Sequence, residues 1–223
     1  MDNINPQFLV MLYRVPVVLL SFMTHELSHA LAAYRCGDMT AKEAGRISFN
    51  PLRHIDPFGA LLLIVARFGW AKPVPINPNN FRNKKAGIII TSLAGPLSNV
   101  LLSLIFYIVF VIFAARGRPA PFMPYSSAAQ VLLAIFSEFY IINIGLAAFN
   151  LIPIPPLDGS KVLFSFLPEN IYFNYVLRYE RYGMFVLIAL SISGYLSIIL
   201  GPFLNFILAF IEAVAKPLIS IFT

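Results

Sequence analysis

A chain of 223 residues that is 59% hydrophobic and only 12% charged carries about half the charged fraction of a soluble domain. That excludes an ordinary soluble globule and leaves no room for a large soluble domain beside the apolar runs. The net charge of +6 comes without a basic stripe interleaved with aromatics, so nucleic acid is not an expected partner; the Lys and Arg flank the apolar runs and set topology.

The first span is predicted over residues 8–34, with Gly37 and Asp38 as its stop signal. This run is too long for the core of a cleavable signal peptide, and none is expected. Residues 38–56 are polar and mixed, and Ile47, Phe49 and Asn50-Pro51 suggest a short strand or turn. Residues 58–70 are apolar but include Arg67. A bilayer needs about 20 apolar residues per helix, so this stretch is read as re-entrant or interfacial. Residues 70–81 form a Pro- and Asn-rich extended segment.

Residues 86–115 carry no charge and give the clearest span. Within it, Ala94-Gly95-Pro96-Leu97-Ser98-Asn99 predicts a kink or a local opening. The next span, 127–149, is interrupted by Glu138 and Asn143, and Pro153, Pro155 and Pro156 end it. A further span is predicted over 182–200, a break at Gly201-Pro202, and a short span or surface helix over 203–215. The expected fold is an all-α polytopic membrane protein with a re-entrant or short β segment between the first two main spans. It forms one domain over 1–223, with a catalytic core at about 8–159 and C-terminal helices at about 182–221.

Twelve Lys and Arg lie in the segments 35–85 and 159–181, against two in 116–126. The positive-inside rule places the basic side in the cytoplasm. The alternation works only if the segment 57–70 returns to the side it entered from. Arg14, near the outer end of the first span, is expected to snorkel to the headgroups.

The single cysteine, Cys36, excludes an intramolecular disulfide and a cysteine-built zinc site. The chemistry is concentrated instead in His25-Glu26-Leu27-Ser28-His29, an H-E-x-x-H pattern. On a helix, positions i and i+4 share a face, so both imidazoles can bind one zinc ion. Glu26 lies about 100° round the axis, in reach of a metal-activated water, and can act as general acid/base. Two His and a Glu within an apolar helix are costly unless partnered, and such residues default to a functional reading.

A catalytic zinc takes three protein ligands and keeps an open position. Glu138, His54, Asp56 and Asp158 are candidates for the third. Asp158 is favoured because the prolines before it unwind the helix end, so its carboxylate can turn inward from backbone that lines a cavity. Asn99 and Asn143 could orient a substrate or bond neighbouring helices. His54 is read as a turn or interface residue, and Glu138 as a partner for a nearby polar group.

Three segments taken in order, His25 to His29, Ala94 to Asn99, and Phe149-Asn150-Leu151-Ile152-Pro153-Ile154-Pro155-Pro156-Leu157-Asp158-Gly159, resemble the site-2 protease family of intramembrane zinc metalloproteases. Phe49-Asn50-Pro51-Leu52 and Trp70-Ala71-Lys72-Pro73-Val74-Pro75 are similar to a short bacterial subgroup. The resemblance implies that His25, His29 and Asp158 bind Zn²⁺, that Glu26 is the general acid/base, and that Asn150 helps hold the substrate or the oxyanion. It implies peptide hydrolysis in transmembrane substrates, within the lipid bilayer of a bacterial cytoplasmic membrane. No inserted PDZ domain or appended nucleotide-sensing domain is expected. A substrate helix must unwind to be cut, and an edge at 45–50 or 70–77 could pair with the unwound stretch. A metal-ion transporter would use the same intramembrane His and acids, and a catalytically inactive scaffold for membrane clients is a third reading.

Overall fold

The computed structural model describes residues 6–59, 72–116, 128–168, 171 and 177–221. The helices are α1 (Pro6–Cys36), α2 (Thr40–Glu43), α3 (Lys84–Arg116), α4 (Ala128–Leu151), α5 (Asp158–Phe164), α6 (Leu177–Ile192) and α7 (Tyr195–Ile219), with 3-10 turns at Pro51–Arg53 and Pro78–Asn80. Leu12–Cys36, Lys84–Ala115, Ala128–Leu151 and Tyr195–Ile219 are long and apolar enough to cross a membrane. The chain is therefore an integral, multi-pass membrane protein with an all-α fold.

Three of these helices form the heart of the bundle. α3 runs antiparallel to α1: His29 meets Thr91 and His25 meets Asn99. α4 runs antiparallel to α3, joined by Asn99–Asn143, Ser103–Tyr140 and a stack of Phe106 on Phe139. α7 begins beside the end of α4, where Leu200 and Phe203 pack with Ile152 and Leu157. It then climbs back along α4, burying Ile207 and Ile211 against Ile144, Ala147 and Ala148. Small residues let the backbones approach closely, which is how spans gain packing energy where lipid offers no hydrophobic drive.

The expectation that the chain does not cross between α1 and α3 agrees with one contact: Arg82 N–H donates to the Cys36 carbonyl at 3.0 Å. Residues 60–71, which hold most of the predicted re-entrant stretch, lie outside the described residues. No strand forms at 45–50. Asn50 Oδ1 instead accepts the Leu52 N–H at 3.0 Å and starts the turn Pro51–Arg53, a local bond that competes with a ladder. Residues 72–77 are extended but unpaired as a strand, since Pro73 and Pro75 offer no N–H.

Of the kink or local opening expected at Ala94–Asn99, the opening is corrected: α3 is helical throughout, with Pro96 inside it. Gly201-Pro202 does not break the C-terminal region either, because both lie within α7. Neighbouring helices and local adjustments satisfy the backbone groups a proline frees in a membrane span. The real break is Gly194, at φ 78°, which separates α6 from α7. The predicted span 182–200 is thus the shorter α6, packed by Leu187 against Ile152 and Leu157, and the first turns of α7.

Candidate metal centre

His25 and His29 stand one turn apart on α1, both buried. Their Nε2 atoms are 3.0 Å from each other. Asp158 arrives from 129 residues further on in sequence. The bent run 152–157 carries the chain off α4, anchored by buried Ile152 and Leu157, and α5 then starts at Asp158 itself. The carboxylate is therefore presented by the first residue of a short helix, following irregular backbone. Its Oδ2 lies 3.3 Å from His25 Nε2 and 3.1 Å from His29 Nε2, while Oδ1 faces Lys161 Nζ at 3.5 Å.

Two glycines make room for this convergence. A Cβ on Gly95 of α3 would collide with His29 Nε2 and come within 2.6 Å of His25 Cε1. A Cβ on Gly159 would collide with the Leu151 carbonyl oxygen, where α5 leans on the end of α4.

The other ring nitrogens fix how each imidazole is protonated. His29 Nδ1 is 2.7 Å from the Thr91 carbonyl, which only accepts, so Nδ1 donates. His25 Nδ1 is 2.6 Å from Asn99 Oδ1. The orientation of that amide follows from its neighbours. Asn143 Nδ2 donates to the Phe139 carbonyl at 2.8 Å, so Asn143 Oδ1 must be the atom facing Asn99, and it accepts from Asn99 Nδ2 at 2.7 Å. Asn99 Oδ1 therefore points at His25. Each ring donates outward from Nδ1, and in the neutral imidazole this leaves an Nε2 lone pair facing the other ring and Asp158.

With both imidazoles neutral, three acceptors face one another at this range and repel unless a metal ion or a proton lies between them. The separations of 3.0, 3.1 and 3.3 Å approach the edge of about 3.3 Å expected for a tetrahedron with zinc–ligand bonds near 2.0–2.1 Å. His25, His29 and Asp158 are the group of His, Cys, Asp and Glu that could hold a metal ion among the described residues. Two imidazoles and one carboxylate, each with an outer partner, match the donor set of a catalytic zinc site.

Glu26 sits beside this group, half-buried. Its Oε2 accepts the Val74 N–H at 2.8 Å, so the extended run 72–77 passes alongside the site. That run is pinned elsewhere too: Lys72 N–H donates to the His54 carbonyl at 2.9 Å, Asn77 N–H to Asp38 Oδ2 at 2.7 Å, and Arg46 donates to the carbonyls of Lys72 and Pro73. Burial pushes the Asp38 carboxyl up, but hydrogen bonds from Thr40, Asn77 and Asn80 outweigh it and hold the group below the usual carboxylate range.

The remaining candidates are elsewhere. Asn150 is half-buried, and its Nδ2 donates to the Leu146 carbonyl at 3.0 Å, one turn back on α4. Glu138 does not join the metal group but binds Arg14 through two bonds, of 2.6 and 2.9 Å; Arg14, half exposed, therefore pairs across α1 and α4. His54 is buried with Nε2 on the Ser48 carbonyl at 2.9 Å, and Asp56 accepts the Gly59 N–H. Sequence reasoning left Asn99 and Asn143 open between two roles and missed Gly95 as the space beside the rings. It also missed Thr91, and it put Val74 on a substrate edge without its bond to Glu26; both contribute a backbone group.

Comparison with known proteins agrees with this geometry. The family model for Peptidase family M50 matches residues 13–194. YwhC of Bacillus subtilis, named as a proposed zinc metalloprotease, is 37% identical over 94% of this chain and 95% of its own length. MJ0611 of Methanocaldococcus jannaschii, named likewise, is 32% identical over 71% of this chain and 73% of its own. Rip2 of Mycolicibacterium smegmatis, also so named, is 29% identical over 73% and 61%. No solved structure matches.

Proposed function

The chain belongs to peptidase family M50, the site-2 protease family of zinc metalloproteases, and on that premise we propose that it is an intramembrane endopeptidase acting on membrane-spanning proteins. The observation that carries this reading is the meeting of His25, His29 and Asp158 with Glu26 beside them. Zinc is the expected cofactor.

His25, His29 and Asp158 would hold zinc, which would polarise a scissile carbonyl and lower the pKa of water toward neutrality. Glu26 takes the proton of the attacking water and returns it to the leaving amine. Asn150 is proposed to steady the oxyanion, which requires its amide to turn from the Leu146 carbonyl. Burial of His25, His29 and Asp158 excludes bulk water, which strengthens each of these interactions. His25 lies roughly 15 Å along the helix from Arg35, so the site opens toward the cytoplasmic side.

The substrate is a transmembrane segment unwound locally, and the edge proposed to receive it is 72–77. Of its N–H groups, those of Lys72, Val74 and Asn77 have partners, and Pro73 and Pro75 have none. Pairing therefore falls to Ile76, and to Val74 once Glu26 lets go. The lipid bilayer is the working environment, a bacterial cytoplasmic membrane is the proposed location, and no nucleic acid is involved.

The decisive experiment combines metal analysis of the purified protein with cleavage of a single-span test protein. Wild type should hold about one zinc per chain and cleave. Glu26→Gln should keep the zinc and lose a factor of about 10²–10⁴ or more in rate. Ile76→Pro, which spares the Glu26 contact, should cut more slowly with zinc retained. If Glu26→Gln cleaves like wild type, Glu26 is not the general acid/base; a zinc-loaded wild type that fails to cleave, with zinc flux across vesicles unaffected by Glu26→Gln, would sink the hydrolytic reading and favour transport.

A further inference from the structure

We propose that Asn143 and Ser21, which touch neither imidazole, are positioning residues that set the metal affinity of the centre by fixing the direction of the Asn99 amide. The proposal rests on the reading of His25 Nε2 as a metal ligand.

Ser21, Asn99 and Asn143 come from α1, α3 and α4, and each is 0% exposed. They form one chain of hydrogen bonds with a single sense. The Ser21 hydroxyl donates to the Val17 carbonyl at 2.8 Å, so its oxygen is left as an acceptor. Asn143 Nδ2 donates to that oxygen at 2.8 Å and to the Phe139 carbonyl. Asn143 Oδ1 accepts from Asn99 Nδ2, and Asn99 Oδ1 accepts from His25 Nδ1. The sense is decided at the end remote from the metal, by two main-chain carbonyls that can only accept.

An Asn amide can turn over by half a rotation with little change in shape. Without Asn143 Oδ1, Asn99 Nδ2 has only the Ser21 carbonyl at 3.5 Å, the outer limit of a hydrogen bond. Turned over, Asn99 would set its N–H₂ against the His25 Nδ1–H. The clash is relieved by moving the ring proton to Nε2, which removes the lone pair the metal needs, or by rotating the ring away. His29 has no such dependence, because a backbone carbonyl holds its Nδ1. A purely interhelical role for Asn143 would alter unfolding and leave the metal indifferent.

The test uses the full chain in detergent, stripped of metal and titrated with Co²⁺ in competition with a chelator. Asn143→Leu should weaken Co²⁺ about tenfold, the low end for outer partners of metal ligands, and shift the visible ligand-field bands. Asn99→Leu should weaken it at least as much. The double variant should match Asn99→Leu alone, because Asn143 acts only through Asn99. Asn143→Ser, whose hydroxyl can still reach the Phe139 carbonyl but not Asn99, reads the same bond should the Leu variant not fold. Wild-type Co²⁺ affinity and bands in the Asn143 variant, even with lowered thermal stability, would overturn the proposal, as would losses that multiply in the double variant. Cleavage is not measured, so a wild type that binds the metal but fails to cleave would sink the hydrolytic reading without touching this one.

Discussion

Two polar clusters hang on α1, and they differ in what they leave over. Around Asp38, at the end of the helix, the carboxylate accepts from Thr40, Asn77 and Asn80, and every contact joins a donor to an acceptor. Around His25 and His29 both Nδ1 atoms have an outer acceptor, yet with neutral rings three acceptors remain turned inward on each other. The first cluster is a fastening and the second is a site. Saturation of polar groups is common to both, so burial and hydrogen bonding alone do not identify function. A surplus of one kind of group, held at fixed distance, does.

That contrast can be broken by experiment. The largest effect is expected from Gly95→Ala, which places a methyl group among the ligand atoms. Zinc content of the purified protein should fall by about a hundredfold or more in affinity, whereas Gly201→Ala, with open space around it, should bind zinc normally. Retention of zinc by Gly95→Ala would mean that α3 does not pass as closely as described.

A smaller effect is expected at the fastening. Asp38→Ala should lower stability by about 1–3 kcal/mol, through the stranded donors, and loosen 72–80 toward proteolysis with zinc affinity nearly unchanged. The sign with pH follows from the lowered folded value. The contribution is fully present above the unfolded carboxyl pKa of about 3.9 and is lost as pH falls through the still lower folded value. Wild type should therefore lose thermal stability below about pH 4 more steeply than Asp38→Ala; parallel curves would remove Asp38 from the account.

The smallest effect is expected at Thr91. Its carbonyl holds His29, but its own Oγ1 is buried without a partner. Thr91→Val keeps the carbonyl and removes an unsatisfied hydroxyl, so zinc affinity should stay within about twofold and stability should hold or rise slightly. A large loss of zinc would show that the hydroxyl, and not the backbone, supports the ring.

Much of this was legible in the residues because it depends on spacing. The i, i+4 pair of histidines, the apolar runs of α3 and α4 and the prolines before Asp158 each act within a few positions, where helix geometry is known in advance. What escaped depends on long-range meetings. Glu138 reads as the partner of a polar group, but no local pattern announces that the group is Arg14, 124 residues away. Gly201-Pro202 read as a break by rules for helices in water, which a span among other spans need not obey, while Gly194 carried the turn. The prolines before it favour Asp158 among four candidates, and the resemblance then implies the same residue.

The bond from the Val74 amide to Glu26 belongs to the main chain and is indifferent to which side chain stands at 74. Because the Val74 side chain is buried with Ala30 and Ala41, a saturation scan of that position would read out packing and leave the bond itself invisible, proline excepted. Only chemistry that edits the peptide unit itself, such as an ester in place of the amide, would expose the contact.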